Sequence, residues 1–146
     1  MNPPDAAPDE RTWQAMSAAA LRARSHAHAP YSGFAVGAAL LDEHGEIHAG
    51  CNVENAAYPQ GLCAEAVALG HLVSSGGRRI RAALVLGVAK QPVTPCGGCR
   101  QKLREFAGDA WDDLPVWSAD ETGITAKHTL GELLPASFGP DHLEST

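Results

Sequence analysis

The sequence predicts an α/β fold, a three-layer α/β/α sandwich around a mixed central sheet. Three observations carry that expectation. Helical and strand-like segments alternate along the chain, residues 34–41 and 80–88 are nearly continuous apolar runs, and residues 63–75 read as a helix that is apolar almost all round. Such strands and such a helix need cover on both sides.

With 146 residues the chain suits one domain. A chain of this size buries about 68–70% of the surface it exposes unfolded, enough for a core without disulfide staples. Residues 1–10, MNPPDAAPDE, read as a flexible solvated tail, and residues 11–146 as a single catalytic domain. The tail lacks the basic and apolar regions of a secretion signal.

Residues 12–27 form an amphipathic helix, with Trp13, Met16, Ala20, Ala23 and Ala27 on one face and Arg22 and His26 opposite. Pro30 ends it. Residues 34–41 and 46–54 make a hairpin about Asp42-Glu43-His44-Gly45. In its second arm Ile47, Ala49, Cys51 and Val53 share one face, while His48, Gly50, Asn52 and Glu54 share the other. A loop over residues 55–62 leads to the apolar helix at 63–75. Residues 80–88 are a buried strand, and residues 96–107 a helix with Cys99, Leu103 and Phe106 inside and Gly108 as its stop. Short strands at 115–119 and 124–129 precede a last helix at 130–134.

Composition removes several functions. The net charge is −6, from 11 basic and 17 acidic residues, which disfavours a nucleic-acid polymer as partner. Arg78, Arg79 and Arg81 read as a solvated turn rather than a phosphate-binding patch. No apolar run reaches 18 residues, so no membrane-spanning helix is expected. We expect a cytoplasmic protein with reduced thiols, in which clustered cysteines point to metal or catalysis.

Four cysteines are present. Cys63 opens one helix, and Cys96 and Cys99, in Pro95-Cys96-Gly97-Gly98-Cys99-Arg100, open the next. Helix starts expose unpaired N–H groups and partial positive charge, which favour thiolate. Three thiolates suit zinc and leave its fourth position open, as a catalytic site requires. Glu65 is the only acidic residue of its apolar helix. A lone buried carboxylate costs several kcal/mol, roughly, and its raised pKa suits proton transfer near neutrality. Cys51, on a strand face opposite Asn52, reads as packing rather than as a fourth ligand. None of the seven histidines has ligand spacing with the cysteines; His26, His28, His44 and His48 read as surface or hairpin residues. Trp111 and Trp117 read as core or interface.

Cys63-Ala64-Glu65 followed by Pro95-Cys96-x-x-Cys99 resembles the zinc deaminase signature in its three-cysteine form. Beyond it, Ala29 to Phe34, Val36 to Leu41, Gly50 to Tyr58, Pro95 to Gln101 and Glu132 to Pro135 resemble the small homotetrameric cytidine deaminases, over about residues 13–143. The resemblance implies a cytidine deaminase-like fold, one Zn²⁺ per subunit on Cys63, Cys96 and Cys99, and Glu65 as the catalytic proton carrier. It implies hydrolysis of free cytidine and 2'-deoxycytidine to the uridines with release of ammonia, in pyrimidine salvage. Asn52 and Glu54 would hold the ribose, and Phe34 would pack on the base. The N–H of Ala64 and the carbonyl of Thr94 would contact the pyrimidine, and Tyr58 and Phe138 would reach a neighbouring subunit's site. Two rival readings are a blasticidin-type antibiotic deaminase and a non-catalytic zinc-stabilised module. The Asn52 to Ala56 segment speaks against the first, the three-ligand zinc site against the second. One departure stands out: many family members carry arginine where this chain has Ala66. Zn²⁺ with three thiolates has a net negative charge, and Arg100 or helix-end N–H groups could offset it.

Overall fold

The computed structural model describes residues 6–144. The elements run α1 (Glu10–Arg24), β1 (Gly37–Asp42), β2 (Ile47–Cys51), α2 (Ala64–Ser74), β3 (Ile80–Leu86), α3 (Gly97–Glu105), β4 (Pro115–Asp120), β5 (Gly123–Thr129) and α4 (Leu130–Leu133). Every expected element is present, with ends that coincide or shift by at most three residues. Of the expected tail, residues 6–10 are described. Asp9 caps α1 by accepting from Thr12 N–H at 2.8 Å, and Ala6 carbonyl accepts from Arg81; residues 1–5 lie outside the described part.

The strands form one sheet in the order β2-β1-β3-β4-β5. Only β3 and β4 run parallel, so the sheet is mixed, as expected. Alternation along β1 divides the core. Ala39 and Leu41 join Trp13, Met16 and Ala20 under α1. Ala38 and Leu40 join Ala64, Ala68, Leu72 and Leu103 under α2 and α3. That is the α/β/α sandwich.

The second arm of the hairpin is shorter than the alternation suggests. The strand stops at Cys51, and Val53 makes only isolated bridges, to His28 and Leu62. The reason lies in Asn52, whose side chain takes over the role of a ladder residue. It donates to Phe34 carbonyl at 2.8 Å and accepts from Val36 N–H at 2.9 Å.

The α2 helix also departs from expectation. Its inner face is buried at Ala64, Glu65, Ala68 and Leu72, but Val67, Leu69 and Val73 are only half-buried within this chain. It sits very close to the sheet because of Gly50. A Cβ there would come within 2.5 Å of Ala68 N and 2.8 Å of Ala64 carbonyl oxygen. Only glycine lets the first turn of α2 lie directly on β2.

The register gathers one end of the sheet into a site. Gly37 at the start of β1 pairs with Cys51 at the end of β2 and with Leu86 at the end of β3. The segment entering β1, the segment leaving β2 and the loop leaving β3 therefore emerge together.

Candidate active site

Cys63 and Cys96 stand at the N-caps of α2 and α3, and Cys99 lies one turn into α3. All three sulfurs lie within 4.8 Å of one another. The Cys63 and Cys96 sulfurs are 3.8 Å apart, far beyond a disulfide bond. Thiolates about 2.3 Å from a tetrahedral zinc stand about 3.8 Å from each other, so the spacing fits that ion. Ionisation fits it too. Burial, with the charges of Glu65, Cys63 and Cys96 adding, pushes the Cys99 thiol far up. Burial likewise pushes Cys63 up. Burial opposes ionisation of Cys96 as well, but the Cys99 backbone N–H and the neighbouring thiols outweigh it and hold Cys96 below its ordinary value. Three crowded thiols cannot all ionise without a cation between them. Cys51 is outside the cluster, paired in the β1–β2 ladder.

Glu65 is 5% exposed. Burial raises its pKa, and its own backbone N–H, a hydrogen bond with Cys99 and the charge of Lys102 only partly offset this. Lys102 was not singled out from the sequence. Its position one turn after Cys99 was the available signal, since lysine side chains on helices lean toward the N-terminus. Arg100, offered above as one way to offset the thiolates' charge, aims its guanidinium at neutral acceptors. Its guanidinium donates to Pro95 carbonyl at 2.7 Å, to Leu133 carbonyl at 2.7 Å and to Thr94 Oγ1 at 3.0 Å. It braces the loop carrying Thr94 instead. Buried Ser118 braces the same loop by donating to Val93 carbonyl at 2.7 Å.

Ala64 is buried in the first turn of α2, beside the cysteines. Phe34 is 40% exposed. A Cβ on Gly87 would crowd Val93 at 3.0 Å and lie in ordinary contact with the Phe34 ring at 3.5 Å, so the bare backbone after β3 leaves room for Val93 beside the ring. Asn52 and Glu54 do face the same side, but both are also structural. Glu54 accepts from the N–H groups of Tyr31 and Ser32 at 3.0 and 3.1 Å and from Ser32 Oγ at 2.5 Å. Those bonds hold its carboxyl below the usual value. Ser32 was missed in the sequence because nothing in its spacing marks it.

Tyr58 is 76% exposed and meets Tyr31 edge-on. It shares a surface groove of about 360 Å³ with Glu54, Asn55 and Ser32. Phe138 is 57% exposed and stacks on His142. Its carbonyl accepts from Gln101 at 2.9 Å, and Arg104 secures the same segment through Ser137 and Asp141. Neither ring is packed into the cysteine cluster of its own chain.

Together these features define a zinc-binding hydrolytic deaminase. Residues 10–111 match the cytidine and deoxycytidylate deaminase zinc-binding region, and the chain belongs to that family. It is 43% identical over 122 residues to a cytidine deaminase of Sporosarcina psychrophila, covering 84% of this chain and 88% of that one. It is 40% identical over 132 residues to the cytidine deaminase of Mycobacterium tuberculosis, covering 90% and 92%. The crystal structure of a cytidine deaminase from Burkholderia pseudomallei superimposes with a TM-score of 0.78 at 40% identity, covering 86% of this chain and 98% of that one.

Proposed function

We propose that this chain hydrolyses free cytidine and 2'-deoxycytidine to the corresponding uridines and ammonia, serving pyrimidine salvage. The observation that carries this reading is the buried Glu65 carboxyl, its pKa raised by desolvation, beside three convergent sulfurs. Cys63, Cys96 and Cys99 would hold zinc, which when bound makes a water acidic enough to act as nucleophile near neutral pH. Glu65 takes the proton from the attacking water and passes it to N3 of the cytosine; it then takes the proton of the new C4 hydroxyl and delivers it to the amino group, which leaves as ammonia while the C4 carbonyl forms. Its desolvation matches that task, because its pKa is moved toward neutrality. Ala64 N–H and Thr94 carbonyl orient the pyrimidine, Phe34 packs on its face, and Asn52 and Glu54 address the ribose hydroxyls.

We further propose a homotetramer, in which Tyr58 and Phe138 meet the site of a neighbouring subunit. Their exposure supports this, as do the half-buried apolar positions of α2. No described helix is long and apolar enough to cross a membrane, and a cytoplasmic location suits free thiols and a diffusible nucleoside. Ammonia release from a panel of cytidine, deoxycytidine and blasticidin-type nucleosides tests the substrate. Turnover of cytidine and deoxycytidine is expected. Turnover of the antibiotic alone, or of nothing, would overturn the reading.

A further inference from the structure

Residues 31–36 join α1 to β1 and carry Phe34 to the pocket, yet they belong to no strand. Backbone bonds hold them at Gly33, to Ala29 carbonyl at 2.9 Å, and at Val36, whose carbonyl accepts from Asn52 N–H at 3.2 Å, and side chains hold the stretch between. Glu54 fixes the first part and Asn52 binds Phe34 carbonyl and Val36 N–H. A third anchor comes from the opposite side. Arg24, in the last turn of α1, donates through Nε to Ala35 carbonyl at 3.0 Å. Its Nη1 meets Glu121 Oε1, also at 3.0 Å.

Ala35 carbonyl and Val36 N–H belong to one peptide unit, which is planar and turns as a body. Arg24 therefore grips from behind the same peptide that Asn52 grips from the pocket side. Without Arg24 the unit can rock about the axis joining its two Cα atoms, and Asn52 and Phe34, attached on either side, move with it. Arg24 is mostly covered while Glu121 lies open to solvent, so the carbonyl bond is the stronger of its two contacts and Glu121 chiefly orients it.

We propose that Arg24 is a positioning residue for nucleoside binding, acting through the Ala35–Val36 peptide, with Glu121 as its orienting partner. The proposal rests on the reading that Phe34 and Asn52 receive the nucleoside. Arg24→Gln should raise KM for cytidine roughly three- to tenfold, with kcat within about twofold and zinc content unchanged. Arg24→Lys, which keeps charge and a donor, should recover part of the loss, and Glu121→Gln should raise KM by about twofold. Amide exchange at Val36 should quicken about tenfold in Arg24→Gln, a readout that needs no substrate. Should Arg24→Gln fail to fold, the exposed Glu121→Gln carries the same two measurements. An unchanged KM with unchanged Val36 exchange would overturn the proposal, whatever the thermal stability, and so would a fall in kcat alone. A wild-type chain inactive on cytidine would sink the functional reading instead, while Val36 exchange would still decide whether Arg24 holds the peptide.

Discussion

Among the described residues two carboxylates are buried, at opposite ends of the sheet, and the fold treats them in opposite ways. Asp42, 2% exposed, ends β1. It accepts from His44 and Glu46 N–H at 2.8 and 2.9 Å and meets His48 Nε2 at 2.8 Å. Burial alone would raise its pKa, yet these bonds together hold it below the ordinary value. Glu65 has only its own backbone N–H and the Cys99 thiol, and burial wins. The Asp42 carboxylate is saturated and serves the fold. The Glu65 carboxyl is kept short of donors, and that shortage is what makes it available for proton transfer. Burial alone does not separate a structural acid from a catalytic one; the supply of hydrogen-bond donors does.

The largest effect should follow from removing what Glu65 faces. Cys99→Ser takes away the buried thiol of the cluster, and zinc content by metal analysis should fall well below one per chain, with deamination lost. Retained zinc and turnover in that variant would break the comparison at its catalytic end.

Asp42→Asn probes the other end. It weakens three hydrogen bonds to a charged acceptor and should cost about 2–3 kcal/mol in denaturant unfolding while leaving kcat unchanged. The pH dependence sharpens the contrast. Because the folded pKa of Asp42 lies below its ordinary 3.8, its stabilisation is complete above about pH 5 and is lost as pH falls through the folded value. For Glu65 the folded pKa lies above the ordinary 4.5, so its contribution is full below that value and is lost as pH rises through the folded one. Acid titrations of the two single variants, Asp42→Asn and Glu65→Gln, should therefore differ from the wild type with opposite slopes.

A smaller effect should come from Gly87→Ala, which touches neither carboxylate. The added methyl presses on Val93 and lies against Phe34. It should cost at most about 1–3 kcal/mol and raise KM more than it lowers kcat. An unchanged KM would mean that the displacement of Val93 is not passed on to Phe34.

Much of this was legible in the sequence. Period-two and period-3.6 patterns located the strands and helices, and the three helix-start cysteines and the lone Glu65 marked the site before any coordinates. What could not be read concerns side chains that bond to backbone far away. Arg24 meets Ala35, Arg100 meets Leu133, and Ser118 meets Val93, and no local pattern encodes such pairings. Alternation extended the second hairpin arm through Glu54 because Asn52 preserves the strand's direction while replacing its ladder bonds. His48, read as a surface or hairpin residue, lies in the hairpin opposite Leu40, and its burial against Asp42 is a pairing that the hairpin register sets.

The central claim is that Glu65 carries the protons at a zinc site held by three cysteines. Zinc content and cytidine turnover measured on one sample of Glu65→Gln test it most directly. The account predicts one zinc per chain, folding stability equal to or above that of the wild type near neutral pH, and kcat lowered by about 10²–10⁴-fold. Near-normal turnover in that zinc-loaded variant would contradict it.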